Sequence, residues 1–397
     1  MTVMDNFTKT AFYFLFLSTL FLQFSCNQRE ATPEELTEEI NFKIPEFRLV
    51  ETDTFFFNNF VGCNMAEAWI GDTLRIFPGK YSEDPVWGFS NELKFSSGMN
   101  ADEVFSNPAS AYIAPSITKN APVGEPSLHG AVWFETVYQD TKDSSGKTLS
   151  AIYHNENYPE TLLFNPKTGE GYIDKNRPLG LTDRTTPAAV PRIGVMKSTD
   201  GGWNWENKAL FLEDKQDRMI LKPHNTSKTF AGGVGDPSAV AAGDYLDLFY
   251  GEYGYPATYD SARYDPQTEW GAQCISVARI RIDELENPQG KAKRWDGTGF
   301  NASWDGIGKP VSSLQIQKSD GSVPASSPSG GFHWGPSVSW NSYLECWVKL
   351  MGKVEGQSWI GDQLYISFNP HKELEEGTNS QAWTKPELLM TNPGHVL

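Results

Sequence analysis

The chain has 397 residues, 35 of them Gly and 25 Pro, 13% aromatic residues, and a formal net charge of −17 with a pI near 4.8. That length suits one large all-β domain or two ordinary ones, with a core big enough to need no disulfide framework. The charge excludes a nucleic-acid partner, which needs clustered Lys and Arg against the phosphate backbone, and is compatible with a neutral ligand such as a sugar.

Residues 1–26 read as an address rather than as folded structure. Lys9 precedes an apolar run from Ala11 to Leu22, short for a bilayer span, and Leu22-Gln23-Phe24-Ser25-Cys26 closes with a small residue before a cysteine. The segment resembles a bacterial lipoprotein signal with a loose lipobox. An ordinary secretory signal and an uncleaved anchor are the other readings. On the lipoprotein reading Cys26 carries the lipid and residues 27–41 form an acidic flexible tether. The expected product is a monomeric outer-membrane lipoprotein, periplasmic or surface-exposed, bound to the membrane through its anchor. Residues 42–397 form the folded domain.

Short aromatic strands and polar turns then alternate. Residues 42–60 read as an extended segment. Ala66–Ile70 and Thr73–Phe77 flank the turn Gly71-Asp72, and residues 99–130 are loop-rich. Ala131–Tyr138 and a strand ending at Tyr153 flank a turn around Asp143, with His154-Asn155-Glu156-Asn157 at the exit. Arg192–Lys197 follows. Val234–Val240 and Tyr245–Tyr250 form the next pair, with Tyr253 at its exit and Cys274–Ile280 after it. His333–Trp340 and the strand from Tyr343 form the last pair, with Leu364–Ser367 and Trp383–Pro386 as outer strands. Cys63, Cys274 and Cys346 fit no zinc spacing. Cys274 and Cys346 read as buried thiols, and one disulfide among the three would suit an oxidising compartment.

The returning strands repeat one phrase, aligned on Leu74, Leu149, Leu246 and Leu344 at intervals of 75, 97 and 98 residues. Strand-built repeats of this length predict the blades of a β-propeller. The strand entering each of the first three copies carries a lone acid, Glu67, Glu135 and Asp236. A propeller gathers its inner strands around one axis, so these acids are expected in one pocket. Acids near strand starts also serve simply to bond turn amides, and that reading stays open for each.

Ser198-Thr199-Asp200-Gly201-Gly202-Trp203-Asn204-Trp205 resembles an Asp-box, with Asn204 in place of the threonine. Its chemistry is structural: the carboxylate accepts turn N–H groups, glycine takes positive φ and tryptophan packs between strands. Gly235-Asp236-Pro237-Ser238, the strand Tyr245–Tyr250 and this hairpin together resemble the five-bladed β-propeller glycoside hydrolases of families 43 and 32, over about residues 61–390. The stretches from Tyr153 to Asn157 and from His333 to Asn341 are similar to those of bacterial secreted propellers near this group. The resemblance implies a five-bladed propeller whose last blade is incomplete here, with 42–60 supplying one of its strands. It implies a glycosidase acting on an extracellular poly- or oligosaccharide, with Glu67, Glu135 and Asp236 as base or nucleophile, modulator and acid. Their order departs from the family's usual Asp, Asp, Glu, so the individual roles and catalysis itself stay open. A non-catalytic glycan-binding propeller is the alternative.

Around these acids His154, Glu156, Tyr253, His333 and Trp334 are candidate sugar-binding residues. Indole faces suit the apolar C–H face of a pyranose. A solvated loop for His154 and Glu156, and core packing for Trp334, are the plain alternatives. Arg192 reads as a strand-edge residue and Asn341 as a turn residue. No cofactor is expected, although a structural or axial calcium ion is compatible with a histidine near the axis. Gly232-Gly233-Val234-Gly235 runs into Asp-Pro rather than a helix and is no phosphate loop.

Overall fold

The computed structural model describes residues 42–48, 50, 64–78, 80–82, 95–106, 116–118, 131–157, 162–164, 171–173, 190–214, 233–253, 274–311, 314, 332–354, 361–376 and 379–396. Residues 1–26 with Cys26, the tether 27–41, most of the segment 42–60 and Cys63 lie outside them. Packing divides the chain into Met1–Ile44 and Pro45–Leu397, and every strand described here belongs to the second unit.

In chain order the strands are β1 (Glu67–Ile70), β2 (Thr73–Ile76), β3 (Lys80–Ser82), β4 (Ser96–Gly98), β5 (Ser116–Thr118), β6 (Ala131–Gln139), β7 (Leu149–Asn157), β8 (Leu162–Phe164), β9 (Gly171–Ile173), β10 (Val190–Ser198) and β11 (Asn204–Leu212). Then come β12 (Val234–Ala242), β13 (Tyr245–Glu252), β14 (Cys274–Arg281), β15 (Lys293–Arg294), β16 (Ala302–Ser303), β17 (Phe332–Asn341), β18 (Cys346–Val354), β19 (Gly361–Asn369) and β20 (Glu387–Val396). They form four blade sheets among the described residues, ordered β1-β2-β4, β3-β6-β7-β10-β11-β5, β12-β13-β14-β15-β16 and β17-β18-β19-β20, plus the hairpin β8-β9. The propeller is therefore seen with four blades rather than the five of the resembling family.

Apolar residues alternate along each strand because successive side chains face opposite sides of a sheet. On β13, Leu246, Leu248 and Tyr250 join Val195 and Phe211 of the preceding blade, whereas Phe249 joins Val338 and Met351 of the following one. A third core, around Phe77, Phe134 and Trp205, fills the gap between the first two blades. Three apolar layers thus lie between four successive sheets, which is how a propeller buries its blades.

The turn Ser198–Trp205 closes on its own side chains. Asp200 Oδ1 accepts the N–H groups of Trp203 and Asn204 at 3.0 Å each, and Ser198 Oγ accepts that of Gly202 at 2.8 Å. Gly202 holds φ 98°, and a Cβ there would meet the Phe77 ring at 2.8 Å. Trp205 packs edge-on to Phe77 and Phe134 and donates its indole N–H to the Gly202 carbonyl at 2.9 Å. Asn341 is the turn residue expected, its Oδ1 accepting the N–H groups of Tyr343 and Leu344. Cys274 and Cys346 are buried free thiols.

Three local expectations are corrected. Helix α1 (Ala101–Ser106) lies inside the loop-rich stretch. Asn100 Oδ1 accepts the Glu103 N–H at 3.0 Å while Glu103 reaches back to the Met99 N–H at 2.7 Å, a reciprocal arrangement of the capping-box kind. β7 does not end at Tyr153 but continues through Asn157. The outer strand placed at Trp383–Pro386 begins instead at Glu387; Trp383 is a core residue, edge-on to Phe249.

Lys349 on β18 is fully buried in the layer between the last two blades. Its Nζ has no hydrogen-bond partner among the described residues and lies 4.4 Å from the Trp383 ring centroid. Burial pushes the amine down to about 7. A depressed folded-state pKa contributes stability that is present above the unfolded value and lost as pH falls through the folded one. Thermal unfolding of the wild type should therefore show stability falling, by something on the order of 3–5 kcal/mol, between about pH 10.5 and 7. Lys349→Met should raise Tm at pH 7 by several degrees and flatten that slope. An unchanged slope would mean that the amine is not buried neutral.

Candidate functional site

Each long inner strand breaks its register at one place. β6 slips against β7 between Phe134 and Thr136, β12 against β13 between Gly235 and Ser238, and β17 against β18 between Trp334 and Ser337. Glu135, Asp236-Pro237 and Gly335-Pro336 are the residues left over. A bulge adds a residue to one strand and re-aims its side chain. The bend requires unusual backbone: Asp236 has φ 51° and Gly335 φ 55°. Glycine takes that conformation freely, whereas for aspartate it is uncommon.

The bulges of β6 and β12 meet at His154, on β7 opposite Trp133. His154 Nδ1 stands 3.1 Å from Asp236 Oδ1 and 4.0 Å from Glu135 Oε1. The second oxygen of Asp236 accepts the Tyr253 hydroxyl, and Glu135 Oε2 accepts the Asn64 N–H at 2.7 Å. Glu135, His154 and Asp236 are 2%, 3% and 5% exposed. The His154 ring lies 5.8 Å from that of Trp133. It also lies against Gly235, where a Cβ would meet it at 3.0 Å. Two carboxylates and an imidazole are thus gathered at one buried point, with Tyr253 and Trp133 beside them.

Sequence reasoning placed Glu135, Asp236 and His154 here, and the structure brings them together. Glu67 does not join them. It is exposed on β1, because Ala66 and Ala68 face the core shared with the second blade and the alternation turns Glu67 and Trp69 the other way. The first blade sends Asn64 instead, whose side-chain amide donates to the Pro336 carbonyl at 3.0 Å and the Pro237 carbonyl at 3.4 Å. Asn64 carries an amide rather than a carboxyl, so a pattern of lone acids does not mark it.

Tyr253, expected to line a sugar subsite, is buried with its hydroxyl on Asp236. Trp334 is buried too, its indole over Gly352, so little of its face is left for stacking. His333 stands edge-on to Tyr365, its rings 4.9 Å apart. Burial and the neighbouring Lys349 and Lys353 push its imidazole down to about 3. Glu156 lies on β7, with its side chain outside the described atoms. Arg192 directs Nε and Nη2 at Asn155 Oδ1, at 3.2 and 2.7 Å, and so binds an amide across the sheet.

Glu135, His154 and Asp236 each offer one ligand atom within 4.8 Å of the others, the one metal-compatible group among the described residues. Calcium takes six to eight oxygens, so a calcium ion here would draw most of its shell from water.

No protein-family profile matches the sequence, and no curated protein matches it. Solved structures do show similarity. An α-L-arabinofuranosidase from Fusarium graminearum, in complex with an iminosugar inhibitor, is 10% identical over 81% of this chain and 65% of its own, with a TM-score of 0.41. An endo-1,5-α-L-arabinanase from Thermotoga petrophila is 11% identical over 81% and 54%, TM-score 0.39. An exo-β-1,3-galactanase from Phanerochaete chrysosporium, with galactose, is 9% identical over 83% and 50%, TM-score 0.38. The chain spans about half to two thirds of the length of these proteins. At such identity and superposition the propeller assignment rests on the sheets themselves.

Asn64→Asp should destabilise the axis, because it sets a carboxylate oxygen against two carbonyl oxygens. Asn64→Ala, which only removes the donor, should cost roughly 1–3 kcal/mol. Urea unfolding of the three proteins tests the order, and an aspartate variant as stable as wild type would remove Asn64 from its bridging role.

Proposed function

We propose that this chain is a glycoside hydrolase acting on an extracellular oligo- or polysaccharide, with Glu135 and Asp236 as its working carboxylates. The observation that carries the reading is the convergence of two buried carboxylates on one imidazole, aimed there by bulges in neighbouring inner strands. Glycoside cleavage needs one carboxyl to protonate the leaving oxygen and a second to stabilise or attack the anomeric carbon. Asp236 accepts from Tyr253 on one oxygen and faces His154 Nδ1 with the other, which suits the anionic partner. Glu135 is then the proton donor. One oxygen of each carboxylate lies no more than 4.8 Å from the other, below the roughly 6.5–9.5 Å of inverting enzymes and so on the side of the shorter, retaining spacing. Double displacement with Asp236 as nucleophile follows on this reading.

The Asp-box reading of Ser198–Trp205 is supported by the turn's hydrogen bonds, and gives that octet a structural part. Lipidation at Cys26 and an outer-membrane location complete the proposal and rest on the N-terminal sequence. One observation favours the second reading, a glycan-binding propeller without turnover: the third axial place holds the amide of Asn64 where the resembling family has an acid.

The test is hydrolysis and binding across a panel of aryl glycosides and plant and bacterial oligosaccharides. Glu135→Gln and Asp236→Asn should each lower kcat by about 10²–10⁴-fold. Equal rates in wild type and both variants would remove these residues from the chemistry. Saturable binding with no turnover in any of the three would select the second reading.

A further inference from the structure

Behind the axial group lies a second buried charge cluster that the chemistry above does not use. We propose that Arg294, Glu252 and Asp214 are positioning residues for the axial site, holding Tyr253 in the one orientation that delivers its hydroxyl to Asp236. The proposal deepens the glycosidase reading and rests on it for the catalytic consequence; the geometry it invokes stands without it.

Arg294, on β15, is fully buried. Its Nη1 donates to Glu252 Oε2 at 2.9 Å and stands 3.5 Å from Asp214 Oδ1. Its Nη2 donates to the carbonyls of Glu213 and Trp304, both at 2.7 Å. The guanidinium therefore ties the end of the second blade to the third. From each carboxylate a path leads to Tyr253. Asp214 Oδ2 accepts the Gly233 N–H at 2.6 Å, and the Gly233 carbonyl accepts the Tyr253 N–H at 3.0 Å. Glu252 is bonded covalently to Tyr253, and its Oε2 is held further by the Gly308 N–H at 2.8 Å and the Tyr250 hydroxyl at 3.3 Å. The peptide between Glu252 and Tyr253 is thus tied to one cation by two routes.

The ring is fixed as well. A Cβ on Gly251 would meet the Tyr253 hydroxyl oxygen at 2.7 Å, and one on Gly235 would meet its Cε2 at 3.1 Å. The ring lies in a slot between two glycines, with its hydroxyl on Asp236 at the far end.

The cluster is a poor device for stability alone. Buried ion pairs are often matched or bettered by apolar residues of the same volume, and their best-attested use is to fix geometry. Two carboxylates, Glu252 and Asp214, share one cation, while Tyr250 and Cys274 crowd the same carboxylate. Burial pushes Glu252 up to about 7 and raises both of those neighbours. Glu252 Oε1 is buried and has no hydrogen-bond partner among the described residues. Such an arrangement is expensive unless it positions something.

The test uses the full chain carrying 13Cζ-labelled tyrosine, whose NMR line reports the hydrogen bond of each hydroxyl; Tyr253→Phe identifies the line of Tyr253. In Glu252→Gln that line should move or split, and kcat should fall about 10- to 100-fold with KM nearly unchanged. Asp214→Asn should move the same line and serves alone if Glu252→Gln does not fold. Asp247→Asn is the control: it breaks an equally buried pair with Arg279 on the opposite face of the same blade and should leave the line in place. A Tyr253 line unmoved in Glu252→Gln and Asp214→Asn, or moved equally by Asp247→Asn, overturns the proposal. A line that moves as expected in a chain that hydrolyses no glycoside supports the positioning network and rejects the glycosidase reading instead.

Discussion

The inner strands of this propeller carry more residues at the axis than their partners can pair, and the site depends on where that surplus goes. β6, β12 and β17 each slip register at the same level, with Glu135, Asp236-Pro237 and Gly335-Pro336 as the extra residues at the slips. The slip inverts the alternation. On β6, Phe134 faces the core between the first two blades, and past the bulge Val137 faces it rather than an even-numbered residue. A bulge that reverses parity allows one strand to hold apolar residues on both faces and still turn a single carboxylate inward.

The same bulges stitch the blades together. Immediately after each surplus comes a hydroxyl. Thr136 Oγ1 accepts the Ala239 N–H at 3.1 Å, and Ser238 Oγ accepts the Val338 N–H at 2.9 Å. The second blade thus binds the backbone of the third, and the third that of the fourth, at the equivalent position. Gly235-Asp236-Pro237-Ser238 and Trp334-Gly335-Pro336-Ser337 are two copies of one device: a residue at positive φ, a proline that offers no N–H, and a hydroxyl. Proline suits a place where the ladder is already broken. Asn64 spans the carbonyls of both prolines, so a single amide draws the first, third and fourth blades to one point.

Much of this architecture was legible. Period-two patterning and Gly/Asp turns marked the inner strand pair of each blade, although β18 begins at Cys346 rather than Tyr343, and Glu135 and Asp236 stood out as lone acids in apolar strands. His154 was marked by its neighbourhood, although β7 runs four residues further than its polar letters suggested. What stayed hidden depended on parity and on partners distant in sequence. Glu67 matched the pattern of a lone acid, but its face is set by Ala66 and Ala68 packing on the second blade, which no local signal reports. Asn64 binds residues 173 and 272 positions away, and a lone asparagine before a strand is otherwise a turn residue. Tyr253 and Trp334 are amphipathic side chains, so sequence alone could not separate a wet subsite from a buried hydrogen bond.

The contrast between Asp236 and Gly335 sets the third blade apart from the fourth. The bend is the same, and glycine makes it at no steric cost. Placing aspartate there costs of order 1–3 kcal/mol in backbone strain, and such strain persists only where the surroundings over-determine it. Those surroundings are visible: His154 on one oxygen, Tyr253 on the other, two glycines clearing room for both rings, and beneath them a buried arginine shared by two carboxylates. The strained aspartate sets a carboxylate at a bend that glycine makes without cost, and its neighbours are what hold it there.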